Sequence, residues 1–484
     1  MSRKDTALCL ILLGIVGAVY VPAFPGAFHF DDFPFVLENP MVVGEDFPWH
    51  IFVEAYGGRP LTIASFFWNF HRAGPSPVSY LLVNLLLHLA VVALLFAFLL
   101  RCGEHTPVAA SAALLFGVHP LATQAVEYIW SRSVTAATVL GLAALLTAKR
   151  RWVSLGFFQA ALWSRFDAVL WAVPLFFANR RLGRLLAGLI VLNAGLLAYG
   201  AWVHGTTGFL LPRQDWMKYW AGIPAAYLQS LELMFRPSRQ ALVHPAPPAD
   251  WAWVVGGLLV LTAVGGILVW LRRHDVALFT SLAAVHWFVL PILLVPNPVH
   301  ISEARLYPAL AAFSWALMRM VFAHLVPLLL SLRPQAGDRI PARRPALVVA
   351  AAICLISASG TLQRHPIWND DVALWREAAE RAPGLFYTHY NLGVALVRER
   401  QLDAAEDAFR RALRLNPQDD MSYAALAYCL ELRGNPRRAS VLYELALKLE
   451  PTNRFAADGL ERVAVCPRVA VRQEGDEFEI RKPN

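Results

Sequence analysis

The chain has 484 residues, 57% of them hydrophobic and 16% charged, with a mean hydropathy of +0.46. Soluble domains carry nearer a quarter of charged residues, so a soluble enzyme and a disordered protein are excluded, and the number of long apolar runs excludes a single-span receptor. The charge is unevenly spread: residues 1–361 hold 41 Asp, Glu, Lys and Arg, about 11%, and residues 362–484 hold 37, about 30%. A membrane-embedded part is therefore followed by one soluble domain. The long unalternating runs also speak against a β-barrel. The first part carries net +9 and the second −1, so the excess base belongs to the membrane part, where the positive-inside rule accounts for it. No nucleic-acid footprint remains. Cys9, Cys102, Cys354, Cys429 and Cys466 are scattered, odd in number and without metal spacing.

The chain starts with Arg3 and Lys4 ahead of an apolar run that ends near VPAF. No small-residue cleavage site follows, so a retained first span is expected rather than a signal peptide. Further apolar runs lie at 78–100, 107–118, 133–148, 152–163, 166–178, 185–204, 251–271, 276–296, 306–332 and 346–361. They suggest about eleven crossings, some shorter than the roughly 20 residues a full span needs. The pieces 152–163 and 166–178 read as a short helical hairpin.

Basic residues orient these spans. Arg3, Lys4, Arg101, Lys149, Arg150, Arg151, Arg180, Arg181, Arg184, Arg272, Arg273, Arg333, Arg339, Arg343 and Arg344 fall on one side, 15 of the 25 in this part. That side is cytoplasmic by the positive-inside rule, and an odd number of crossings puts the C-terminal domain outside. Twelve of the 16 acids fall on the outer side, among them Asp31, Asp32, Glu54, Glu127, Asp167, Asp215, Asp250 and Glu303.

The tail repeats itself. Pro383, Pro417 and Pro451 stand 34 residues apart, the tetratricopeptide period. Ala405, Phe409 and Ala412 recur in phase as Ala439, Tyr443 and Ala446. Trp375 and Ala378 share that phase in a preceding half-unit, and a helix over about 453–465 reads as a cap. The expected division is 1–361 for the membrane part, with a first outer loop at 25–76. A connecting helix at 362–383, repeats and cap at 384–466, and a charged tail at 467–484 complete it. The fold class is all-α, a polytopic helical bundle followed by a short α-solenoid.

Candidate chemistry gathers on the outer side. Asp31 and Asp32 are adjacent carboxylates just past the first span. Such a pair can act as base and orienting partner, can bind a divalent metal, or can cap a turn. Asp370-Asp371 opens a helix, and capping is the better reading there. Arg132 and Arg165 lie near outer ends of short spans, where the guanidinium fork suits a phosphate or the side chain snorkels to the interface. Glu303, Arg305 and Tyr307 stand at the same surface.

The order of these blocks resembles the polytopic glycosyltransferases of the C superfamily. The nearest group is the protein O-mannosyltransferase-like one that ends in tetratricopeptide repeats, the TMTC type and its bacterial relatives. Asp31-Asp32 matches its paired acids, Arg59-Pro60-Leu61-Thr62 its RPLT block, and His119-Pro120 with Ala125-Val126 its HPxxxEAV block. Arg132 and Glu303-x-Arg305-x-Tyr307-Pro308 match further blocks, and residues 365–396 resemble its junction into the repeats. Gln124 replaces the usual glutamate, Ala122 a frequent histidine, and Arg165-Phe166 with Asp167 a Lys-Glu pair.

The resemblance implies sugar transfer from a polyprenyl-phosphate carrier to a protein hydroxyl outside the cytoplasm. Asp31 would be the base, with Asp32 orienting it or sharing a metal. Arg132, Arg165 and Arg305 would hold the donor phosphate, supported by Arg59, His119, Asp167, Glu303 and Tyr307. The expected partners are the lipid-linked donor, a polypeptide acceptor presented by the repeats, and the bilayer of a bacterial inner membrane or the endoplasmic reticulum. The resemblance names no cofactor, and a divalent metal stays open. The rival readings are a repeat-bearing scaffold with an inactive membrane part, which Gln124 favours, and a transporter, whose ionisable groups would sit near the midplane; Arg319 is the clearest charge within a span.

Overall fold

A computed structural model describes residues 2–52, 58–203, 216–236, 240–242, 244–245, 251–294, 300–301, 303–331 and 342–465. Glu54, Asp215, Asp250, Arg333, Arg339, Cys466 and the tail 467–484 lie outside them. The chain divides into two compact units, Met1–Ala382 and Pro383–Asn484.

The first unit is helical, as expected. Its longer helices are α1 (Arg3–Tyr20), α2 (Pro60–Ala73), α3 (Pro77–Arg101), α4 (Thr106–Val118), α5 (Arg132–Leu146), α6 (Arg151–Ser164), α7 (Gly183–Val203), α8 (Trp216–Phe235), α9 (Trp251–His274), α10 (Val276–Leu294), α11 (Tyr307–Met320), α12 (Arg343–Trp368) and α13 (Asp371–Arg381). Among the described residues, strand pairing is limited to His244–Pro245 against His300–Ile301. A capping box opens α1: the Ser2 hydroxyl accepts from the Asp5 amide, and the Asp5 carboxylate accepts from the Ser2 amide, satisfying N–H groups that a helix start leaves orphaned.

Among the described residues six helical stretches are long and apolar enough to cross a membrane: Arg3–Ala23, Pro77–Arg101, Ile129–Leu146, Arg180–Gly200, Glu303–Ser331 and Arg343–Trp368. Thr106–Val118 and Pro120–Glu127, bent by 52°, make a seventh if counted as one span. The sequence suggested about eleven. The difference comes partly from short runs: α6 has 14 residues, about 21 Å at 1.5 Å per residue, against a hydrocarbon core of about 30 Å. Phe166–Ala178 and Val276–Val289 are likewise short apolar helices. α12 runs unbroken through residue 361, where the sequence reading put its boundary.

α4 is the hub, packed against α1, α3, α11 and α12. Its inner residues are small, with Ala109, Ala112, Ala113 and Gly117 all buried, so neighbouring helices approach closely. A Cβ on Gly117 would stand 2.5 Å from Val16 and 3.1 Å from Val92; no larger residue fits. At one end of the bundle, Arg319 donates to Glu104 at 3.1 Å and to Asp275 at 3.0 Å. His324 reaches Asp275 at 2.9 Å, and Trp315 donates to Glu104 at 2.7 Å. The charge within a span is thus compensated by a brace between helix ends.

The second unit holds α14 (Phe386–Arg398), α15 (Leu402–Leu415), α16 (Asp420–Leu432), α17 (Pro436–Leu449) and α18 (Arg454–Val465). The 34-residue phase reappears as packing. Ala405, Phe409 and Ala412, and then Ala439, Tyr443 and Ala446, are all buried. Phe409 lies over Gly393, where a Cβ would come within 2.5 Å of its ring. Tyr443 lies over Gly459 in the same way and donates its hydroxyl hydrogen to Glu431 at 2.8 Å. Trp375, in the first unit, sets its ring edge against Phe30 at 5.5 Å.

Candidate active site

The acid pair sits in a tight turn after α1. The His29 carbonyl accepts from the Asp32 amide at 2.7 Å, and the Asp32 carboxylate accepts from the His29 amide at 2.9 Å. Between them Phe30 has φ +38°, a left-handed conformation that a bulky residue holds only when its surroundings force it. The other Asp32 oxygen accepts from the Trp130 amide at 2.7 Å. Asp32 is fully buried, and burial pushes its carboxyl up to about 7, against the His29 charge and the two amides that favour its anion.

Asp31 differs from its neighbour. It is half-buried, and its amide donates to the Tyr128 hydroxyl oxygen at 3.2 Å. Burial raises its pKa above the ordinary carboxylate value, while the Tyr128 hydroxyl and Arg59 act the other way. Asp31 thus has the accessibility and affinity for a proton that a base needs, and Asp32 is committed to the backbone.

Arg59 links the acids to the basic residues. Its guanidinium lies over the Trp130 ring, 4.9 Å from the centroid. Phe35 and Phe66 stack on that ring at 4.6 and 5.9 Å. Burial lowers the Arg59 pKa to about 10, with Arg165 and Arg305 lowering it and Asp167 and Asp31 raising it; it stays charged at neutral pH. These four groups therefore act on one point.

Thr62, from the RPLT block, explains how Arg165 is placed. Its hydroxyl donates to the Ser164 carbonyl at 2.9 Å, tying α2 to the end of α6, where Arg165 is the next residue. The Arg165 Nε donates to both Asp167 oxygens at 2.6 and 2.7 Å. Arg165, Asp167 and Arg305 line one small cleft. Its walls include Val134, Ala137, Leu170, Trp171, Phe288 and Pro308. Two guanidiniums at the rim of an apolar cleft suit a phosphate carrying a hydrocarbon chain.

The neighbours of Arg305 turn inward and hold it. Glu303 is fully buried and accepts from the Ala241 amide and His244, each at 2.7 Å. The Tyr307 hydroxyl meets His88 at 2.6 Å in the core. Neither Glu303 nor Tyr307 faces the cleft surface where the sequence reading put them. His119 is also internal: Nδ1 accepts from the Leu121 amide at 3.1 Å, so Nε2 carries the hydrogen donated to the Met234 carbonyl at 3.1 Å. Gln124 accepts from the Ala304 amide at 2.6 Å and donates to the Leu242 carbonyl at 3.2 Å. An ionised glutamate could not make that second bond, so the amide fits its place.

Arg132 departs from its expected role. Its Nε donates to Asn84 at 2.9 Å, Nη1 to the Ser65 carbonyl and hydroxyl at 3.4 and 3.3 Å, and Nη2 to Asn69 and the Tyr80 carbonyl at 2.8 and 3.1 Å. All five donors of the fork are occupied, and the side chain is 1% exposed. It pins α2, α3 and α5 together and leaves no hydrogen for a phosphate. Each buried group left unpaired costs about 1–3 kcal/mol. Arg132→Lys is therefore expected to lower stability by at least about 2 kcal/mol with donor affinity kept. Thermal denaturation in detergent and a donor titration check this; normal stability with lost affinity would return Arg132 to the phosphate.

Sequence reasoning passed over His29, Tyr128 and Trp130, and it took Asp371 only as part of a cap. Asp370 does cap α13, accepting from the Val372 and Ala373 amides at 2.8 and 3.1 Å. Asp371 instead reaches His29 at 3.0 Å. No spacing rule links residues 342 positions apart. Among the described residues no group of three or more His, Cys, Asp or Glu could hold a metal ion. Each Asp32 oxygen accepts from one backbone amide.

Fold and site together define a polytopic helical membrane protein with a cleft lined by two arginines, whose chain continues into tetratricopeptide repeats. Residues 386–419 match the tetratricopeptide repeat family model. The chain is 33% identical over 153 residues to protein O-mannosyl-transferase F38B6.6 of Caenorhabditis elegans, covering 28% of this chain and 22% of that protein. It is 28% identical over 162 residues to human protein O-mannosyl-transferase TMTC3, and 35% identical over 145 residues to human TMTC2. Those matches cover 31% and 27% of this chain and 18% and 17% of the relatives. The matched stretch thus spans about a fifth of the length of these curated relatives. No solved structure matches the chain. The resemblance to TMTC-type protein O-mannosyl-transferases read from the motifs holds among these relatives.

Proposed function

We propose that this protein is a membrane glycosyltransferase that moves mannose or another hexose from a polyprenyl-phosphate carrier to a protein hydroxyl on the outer side of the membrane. The observation that carries this reading is the cleft that joins Arg165 and Arg305 to apolar walls. The relatives' names support O-glycosylation as the reaction class. Arg165 and Arg305 bind the donor phosphate, and the apolar walls take the first part of the lipid chain. Asp167 holds the Arg165 guanidinium in place until the phosphate arrives. Asp31 takes the proton from the acceptor hydroxyl, whose oxygen attacks the anomeric carbon. The bond from that carbon to the phosphate oxygen breaks, and the electron pair leaves with the carrier phosphate, whose charge the arginines stabilise. Configuration inverts in this single displacement. The N-terminus lies in the cytoplasm and the repeats lie outside, where they present the polypeptide acceptor.

The test is mass spectrometry of glycans on envelope or secretory-pathway proteins, with and without the chain. Hexose-modified Ser or Thr peptides that vanish on deletion and return with the parent chain support the proposal. An unchanged glycan set, together with no transfer from polyprenyl-phosphate mannose by purified protein, overturns it.

A further inference from the structure

The acid pair's turn is fastened from a distant part of the chain. The His29 ring is fully buried between two acceptors, the Asp371 carboxylate at 3.0 Å and the Trp368 carbonyl at 2.7 Å. Both ring nitrogens face acceptors, which suits a doubly protonated imidazolium. Burial opposes that charge, but Asp371, Asp32 and the Trp368 carbonyl outweigh burial, so the His29 pKa is raised. The next residue, Phe30, has φ +38° and rests against Trp375. The His29 ring also lies edge-on to Trp368 at 5.6 Å. Four consecutive residues, His29 to Asp32, are thus held by the end of α12, by α13 and by the Tyr128–Trp130 segment.

An unbraced turn would lose the left-handed Phe30, which costs about 1–3 kcal/mol to hold. Asp31 follows that residue directly, so its carboxylate direction depends on the Phe30 dihedrals. We propose that His29 and Asp371 are positioning residues that hold the strained turn so that Asp31 faces the acceptor, an inference that rests on the catalytic role given to Asp31 above. Asp371 touches no reacting atom; it acts through the His29 ring and backbone.

The test uses the full chain in nanodiscs, with polyprenyl-phosphate mannose as donor, and compares Asp371→Ala, His29→Gln, their double variant and Asp31→Asn. Turnover, donor KM, melting temperature and amide hydrogen exchange over residues 28–35 are read for each. Asp371→Ala is expected to cut kcat about tenfold and to speed exchange of this segment by a similar factor, the scale of one charge-assisted contact. Donor KM and exchange in the remaining helices stay near the parent's, a split that general destabilisation does not produce. The double variant is expected to be no worse than the poorer single one, because both act through one contact. Asp371→Asn, which keeps an acceptor oxygen, recovers part of the loss. Parent-like exchange and turnover in Asp371→Ala, or multiplying losses in the double variant, overturn the proposal. Full turnover in Asp31→Asn overturns the catalytic reading alone; exchange in Asp371→Ala still decides whether the turn is held from α13.

Discussion

Asp31→Asn is expected to insert and fold like the parent and to lose turnover by about 100- to 10,000-fold, the usual contribution of a general base. The amide keeps the carboxylate's shape but cannot take the acceptor proton. The Asp31 amide bond to Tyr128 involves the backbone and survives the change. Burial raises the Asp31 pKa, and only the ionised form acts as base. Parent activity should therefore fall as the pH drops through that raised value, nearer neutrality than for a solvent-exposed aspartate, and Asp31→Asn should lack this limb. Transfer from a radiolabelled polyprenyl-phosphate sugar, normalised to inserted protein, measures both. Activity within about threefold of the parent would rule out general-base catalysis by Asp31.

Arg305→Ala is expected to weaken donor binding about ten- to a hundredfold, because a charge-assisted contact in a poorly hydrated cleft is worth about 1.5–3 kcal/mol and each decade takes about 1.4. Arg305→Lys restores only part of the loss, since an ammonium cannot present two parallel donors. Arg305 projects from a turn whose flanking residues, Glu303 and Tyr307, are anchored separately, so its removal should leave the turn standing. Binding of a fluorescent polyprenyl phosphate checks the affinity, and undiminished affinity in the Ala variant would give Arg305 a structural role.

The parts of this design that show in the sequence are those with a period or a run. Apolar stretches, and the 34-residue phase that sets Phe409 and Tyr443 over glycines, follow from one-dimensional spacing. The acid pair and Arg165 could be picked out as charges in disfavoured places. The same argument misjudged Arg132. A buried arginine surrounded by Asn69, Asn84 and the Tyr80 carbonyl looks, in one dimension, like an arginine waiting for a phosphate, since its partners lie 48 to 67 positions away. Glu303 and Tyr307 turn inward for a related reason. Motif order tells that residues matter together, and only the bend of each short helical turn tells which side chain faces the cleft. Among the described residues six helical stretches, or seven with the bent pair, are long and apolar enough to cross, and an apolar run alone does not reveal that α6 stops at 14 residues.

The His29–Asp371 contact also has a consequence for the moment at which the protein becomes complete. The turn bearing the acids leaves the ribosome early, but its buried partner is made 342 residues later. At about 5–20 residues per second that gap lasts roughly 17 to 70 s. During it Asp371 and Trp375 do not yet exist, so the turn has at most the Tyr128–Trp130 part of its brace and Phe30 lacks the ring it rests against. A nascent chain therefore carries both acids without the arrangement they have in the finished protein. The last part of the first unit to be synthesised completes the turn, so transfer activity should begin only once translation has passed α13.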